Sequence, residues 1–152
     1  MKIYRSVTEV PDEHRSGTVV LGNFDGFHRG HQAVIGEASA NKKPLGVVTF
    51  DPHPRKYFRP HDTPFYLTEI NEKARFMAAL GVDFLLVLTF DRALSSQLPE
   101  EFVQQFLVDG LDAQHVLVGY NFRFGFKRSG DGSLLMKLGL SLIHISEPTR
   151  RR

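Results

Sequence analysis

Apolar positions along this chain cluster in short runs, separated by stretches with helical spacing. Thr18 to Leu21 reads as a strand, with Val19-Val20-Leu21 unbroken. Gly30 to Ala40 reads as a helix that Asn41-Lys42-Lys43-Pro44 stops. Leu45 to Phe50 is the next strand. The stretch from Asp51 to Pro64 holds Pro52, Pro54, Pro60 and Pro64, which fixes it as a loop. Thr68 is placed as the N-cap of a second helix, with Leu67, Ile70, Ala74, Met77 and Ala78 as its apolar stripe and Gly81 as its stop. Val82 to Phe90 is almost continuously apolar, the pattern of a parallel strand covered on both faces. Pro99 opens a third helix, with Glu100 and Glu101 in its first turn and Phe102, Val103, Phe106 and Leu107 facing inward. His115 to Gly119 closes the series as a strand. This alternation predicts an α/β fold with a parallel sheet. Ligands of such sheets bind beyond the carboxyl ends of the strands. Three motifs fall there, at 22–31, 51–54 and 119–125.

Composition changes this picture little. The 152 residues suffice for one domain with a real core. The absence of cysteine excludes disulfides and thiolate metal sites. The net charge of +2 comes from the 141–152 stretch, where Arg150, Arg151 and Arg152 stand against Glu147, and elsewhere the two signs balance. No nucleic-acid partner is expected from a body without excess charge. Met1-Lys2-Ile3-Tyr4 lacks the apolar core of a signal peptide, and no run reaches membrane-spanning length. The expectation is a cytoplasmic protein with no membrane partner.

The first motif carries the most chemistry. Gly22-Asn23-Phe24-Asp25-Gly26-Phe27-His28-Arg29-Gly30-His31 follows a strand and opens a helix. Unpaired backbone N–H groups and the positive end of the helix dipole suit an anion there. His28 and His31, three apart, share one helical face and can both donate to phosphate oxygens. Asp25 and the two histidines could instead be metal ligands, with a further ligand such as His53 needed, and a glycine turn with solvent-exposed histidines is the other alternative. In Phe50-Asp51-Pro52-His53-Pro54, the prolines hold the backbone extended and offer a flat apolar wall to a ring system. The same pattern also suits a rigid crossover. In Gly119-Tyr120-Asn121-Phe122-Arg123-Phe124-Gly125, Asn121 can donate and accept, and Arg123 can fork onto phosphate. An ordinary strand end with apolar anchors remains the alternative.

Together these motifs resemble the adenylyltransferase module of bacterial bifunctional riboflavin kinase/FAD synthetase. The resemblance rests on GNFDGFHRGHQ at 22–32, TFDPHPRKYF at 49–58, EKARFMAALGVDFLLVLTFD at 72–91, the Pro99 helix, and HVLVGYNFRFGFKRSGD at 115–131. It implies a Rossmann-like nucleotidylyltransferase fold and transfer of AMP from ATP to FMN with Mg²⁺. It assigns His28 and His31 to the ATP phosphates as catalytic groups, and Gly22, Asn23, Phe24, Asp25, Gly26 and Asn121 to nucleotide binding. Pro52, Pro54, Asn121, Phe122 and Arg123 fall to the flavin, and no protein metal ligand is implied. A riboflavin kinase module is the expected companion in the full-length protein. The domain is expected to run from residue 1 to 140 and to be incomplete at its C-terminus. Residues 141–152 read as translated sequencing adapter, a non-native tail expected to pack poorly and to add nothing to the site. The family's later Ile-Ser-Ser-x-x-Arg motif has no counterpart, because Ile145-Ser146-Glu147-Pro148-Thr149-Arg150 puts a carboxylate where a serine meets phosphate. Two other readings follow. One is a non-catalytic flavin- or nucleotide-binding fragment, the other a nucleotidylyltransferase with a different phosphorylated acceptor.

Overall fold

The structure is a computed structural model that describes residues 1–22, 29–40, 43–51, 70–119 and 143–146. The strands are β1 (Lys2–Tyr4), β2 (Thr18–Leu21), β3 (Leu45–Asp51), β4 (Phe84–Thr89), β5 (His115–Gly119) and β6 (Ile143–Ser146). The helices are α1 (Arg29–Ala38), α2 (Ile70–Ala79), α3 (Arg92–Ser95) and α4 (Pro99–Phe102), the last running on as a π-helix over Val103–Gly110. Among the described residues the strands form one sheet in the order β1-β4-β3-β2-β5-β6, and every pairing is parallel. The expected α/β architecture is what the chain adopts.

Strand period divides the core in two. Val19, Leu21, Val48, Phe50, Phe84, Leu86, Leu88, Val116 and Val118 point to one face, under Phe102, Val103, Leu107 and Leu111. Val20, Val47, Leu85, Val87 and Leu117 point to the other, under Val34, Ile35 and Ala38 of α1 and Met77 of α2. The continuous apolar run of β4 is thus explained: successive side chains feed opposite layers.

Helix ends follow their local chemistry. At the C-terminus of α2, Gly81 adopts φ +92°. Its N–H donates to Ala78 O (3.1 Å) and the Val82 N–H to Met77 O (3.0 Å). This is a Schellman closure, sealed by the contact of Val82 with Met77 in the core. At the start of α4, the Glu101 carboxylate accepts the Leu98 N–H at 2.9 Å, and Pro99 opens the helix as expected.

Four details depart from the sequence reading. β1 has no counterpart there, because three residues carry too little pattern. The α2 stripe is narrower: Met77 is buried and Ile70 and Ala74 partly so, but Ala78 is exposed and Lys73 is buried instead. Leu67 and Thr68 lie outside the described residues. The Pro99 helix widens to π geometry from Val103. The expectation that residues 141–152 pack poorly is corrected at Ile143–Ser146, which runs parallel beside β5 from Val116↔Ile143 to Gly119↔Ser146. The physical reason is that a bare β5 edge presents a row of free N–H and C=O groups, and Ile-His-Ile carries β-branched residues that suit a strand.

The N-terminal segment is tied to the sheet by an aromatic stack. The His14 ring lies on Phe84 (centroids 5.1 Å apart, planes 13° apart), and Tyr4 Oη lies 3.0 Å from His14 Nδ1. Burial, with Glu13 nearby as the second cause, raises the Tyr4 phenol above its ordinary value. Gly46, opposite Phe84 in the β3–β4 register, makes room for the ring: a Cβ there would overlap the Phe84 side chain.

Candidate active site

The site is defined by where strands end. Leu21, the last residue of β2, pairs with Val48 on one side and Val118 on the other. The Gly22 N–H then donates to Val48 O at 3.1 Å. β3 runs on to Asp51, and β5 ends at Gly119. All three strands point the same way, so the segments beginning at Gly22, Asp51 and Gly119 leave from one edge. Neighbouring strands lie about 4.8 Å apart, so Gly22 and Gly119 are level on adjacent strands, while β3 carries the chain two residues further before it ends at Asp51.

Strand order adds a second constraint. β2 connects through α1 to β3 on one side, while β5 lies on its other side. The order therefore reverses between β2 and β5, the position at which open parallel sheets leave a crevice for ligands. Gly22 stands at its lip. Helix α1 starts at Arg29 and holds His31 in its first turn, where backbone N–H groups have no intrahelical partner. Asn23, Phe24, Asp25, Gly26, His28, His53, Pro52, Pro54, Asn121, Phe122 and Arg123 lie outside the described residues, as does the His31 side chain.

One feature of this edge escapes the sequence reading. Arg5, immediately after β1, reaches across β4 so that its Nη1 lies 3.2 Å from Asp51 Oδ2. Nothing in the motif pattern marks Arg5, since its partner is set only by the strand order.

A cavity of about 520 Å³ opens beside the end of β4, between the turn at Arg5 to Thr8 and helices α3 and α4. Its polar walls are satisfied from within only in part, because the buried Gln97 Oε1 has no hydrogen-bond partner among the described residues. Asp91 Oδ1 accepts the Leu94 N–H (2.9 Å), and Gln97 Nε2 donates to Gln105 Oε1 (2.7 Å). It lies two strands from β2, away from the β2–β5 crevice. No helix among the described residues is long and apolar enough to cross a membrane.

The sequence profile described as FAD synthetase matches residues 10–147, past Leu140, the expected end of the resemblance. The bifunctional riboflavin kinase/FMN adenylyltransferase of Pseudomonas fluorescens is 39% identical over 145 residues, covering 93% of this chain and 46% of that protein. The protein of the same description from Escherichia coli (strain K12) is 37% identical over 145 residues, covering 92% of this chain and 46% of its own length. The chain thus spans about half the length of the curated relatives it matches. In fold it is similar to a Streptococcus pneumoniae structure described as a macrolide-efflux protein, with TM-score 0.79, 24% identity, and 99% and 52% of the two chains covered. It is also similar to pantothenate synthetase of Thermus thermophilus, with TM-score 0.61, 18% identity, and 100% and 63% covered.

Proposed function

The chain belongs to the FAD synthetase family, and from that premise we propose that it transfers AMP from ATP to FMN, giving FAD and pyrophosphate. The observation that carries this reading is the shared carboxyl edge at which Gly22, Asp51 and Gly119 leave the sheet, with Gly22 at the point of strand reversal.

In this reading an FMN phosphate oxygen attacks the α-phosphorus of ATP. The bond from that phosphorus to the bridging oxygen of the β-phosphate breaks, and pyrophosphate leaves with the electron pair. The nucleophile is already an anion, so no strong base is needed, and the protein's task is to align the reactants and neutralise charge. Backbone N–H groups of the segment after Gly22, whose own N–H is taken by Val48 O, and of the start of α1 serve the triphosphate. His28 and His31 donate to its oxygens, and Asn121 to the nucleotide. Pro52, Pro54, Asn121, Phe122 and Arg123 hold the flavin. Asp51, the carboxylate at the roots of these segments, is engaged by Arg5. Mg²⁺ would enter with ATP and would offset charge on the triphosphate. The relatives' names pair this activity with riboflavin kinase, and we extend the proposal to a kinase module in the same protein and to a cytoplasmic setting.

The test is FAD formation from FMN and ATP with Mg²⁺, followed by chromatography. The stretch Ile145-Ser146-Glu147-Pro148-Thr149-Arg150 does not reproduce the family's Ile-Ser-Ser-x-x-Arg motif. The chain should therefore turn over about 100-fold or more slowly than a version carrying the Ile-Ser-Ser-x-x-Arg motif. Binding of FMN and ATP without FAD formation in either version would favour a non-catalytic binding unit. Transfer of AMP to another phosphorylated acceptor, with FMN untouched, would overturn the flavin assignment.

A further inference from the structure

The cavity at the end of β4 is walled by described residues and stands apart from the β2–β5 crevice. At about 520 Å³ it falls in the size range of small-molecule sites. Its apolar part is Val7, Leu88, Leu94 and Phe106, all members of one core layer or packed against it. Its polar walls are fixed without a ligand. Glu9 Oε1 accepts the Arg5 N–H (2.8 Å) and the Ser6 N–H (3.3 Å), closing the turn after β1. Asp91 caps α3 and Glu101 caps the start of α4, each through one carboxylate oxygen.

Those bonds leave a defined set of groups unspent. Asp91 Oδ2, Glu101 Oε2 and Gln105 Nε2 have no hydrogen-bond partner among the described residues. Gln97 is the telling one. Its Nε2 donates to Gln105 Oε1 at 2.7 Å, but its Oε1 is buried and accepts nothing among the described residues. A buried acceptor without a donor is costly to keep. Gln105 is exposed, so its side chain can turn to admit a hydroxyl that donates to Gln97 Oε1 and accepts from Gln105 Nε2.

Charge selects the ligand class. The wall carries the carboxylates of Asp91 and Glu101 against the guanidinium of Arg5, which is already paired with Asp51 at 3.2 Å. Such a wall repels phosphates and carboxylates. A neutral polyol matches both surfaces: its hydroxyls donate to the carboxylate and amide oxygens, and its C–H face covers Leu94 and Phe106.

We propose that this cavity is a second binding site, for a neutral polyhydroxyl ligand of pentose size, with Asp91, Gln97, Glu101 and Gln105 as its hydrogen-bonding groups. The proposal is independent of the FAD reading, since none of these groups belongs to the motifs at the ends of β2, β3 and β5.

The experiment titrates the 152-residue chain with D-ribose and with xylitol, and separately with spermidine and inorganic phosphate, reading the Gln97 and Gln105 side-chain amides by NMR. Both polyols should give saturable shifts with Kd of about 1–10 mM. Ala93→Trp fills the cavity and removes no side-chain hydrogen bond; it should weaken polyol binding about 10-fold or more. Saturating ATP or FMN should leave polyol affinity unchanged. Shifts that stay linear in polyol concentration overturn the proposal, as does a response to spermidine or phosphate alone. Undiminished binding in Ala93→Trp, or displacement of D-ribose by ATP or FMN, also overturns it. Should Ala93→Trp fail to fold, Gln97→Met decides, with the Gln105 amide as its probe: a loss of about 5-fold or more in polyol affinity supports the site, and an unchanged affinity overturns it.

Discussion

Single positions in this sheet are constrained by what lies on top of them. Gly46 carries the Phe84 ring, which is buried and stacked in turn beneath His14. Gly46→Ala should cost about 1–3 kcal/mol in urea unfolding, the usual range for overpacking, and the loss should shrink when Phe84 is replaced by Leu in the same chain. An unchanged midpoint would show that the ring can shift without loss. Tyr4 gives the complementary case of a titrating residue. Its raised pKa means that the native state holds the phenol proton more tightly than the unfolded chain. Above pH about 10 the unfolded chain binds fewer protons, so stability falls as pH rises, while below that range the contribution is complete. Tyr4→Phe should flatten the alkaline slope of a pH–stability curve, at the cost of the contact with His14.

Elements respond to their edges. β6 covers β5, so removing residues 143–146 should speed hydrogen exchange at the β5 amides that face it, with the β3–β4 amides unaffected. Equal β5 exchange with and without the segment would show that the pairing contributes no protection. This strand also marks how far the sequence can be read. β2, β3, β4 and β5 are legible because each is a run of apolar residues long enough to feed two cores. α1 and α2 are legible because a glycine or a proline-bearing stretch punctuates their ends. β1 and β6 are not, since three or four residues at an edge owe their conformation to the partner strand rather than to their own pattern. The π-helical turn after Phe102 leaves no trace in the spacing, because α and π periods differ too little over eight residues. For the site, the motifs at the ends of β2, β3 and β5 are visible as chemistry. The Arg5–Asp51 ion pair is not, because it is set by a strand order that no local pattern encodes.

For the molecule as a whole, the proposed division of the edge predicts separable defects. His28→Ala should slow adenylyl transfer far more than it weakens FMN binding, and tight stoichiometric zinc or wild-type turnover in that variant would sink the phosphate role. The parallel order also has a consequence in time. β3 meets β4 across roughly 40 residues of chain, but β2 meets β5 across roughly 100. Long loops are costly to close, so the β3–β4 half should gain protection first in pulsed hydrogen exchange during refolding, with β2–β5 following. The crevice at which we propose the chemistry would then be the last part of the sheet to exist. Until β5 arrives, one side of β2 stands as an open strand edge, available to any other chain, so the same pairing that builds the crevice sets the period during synthesis when this protein is most prone to aggregate.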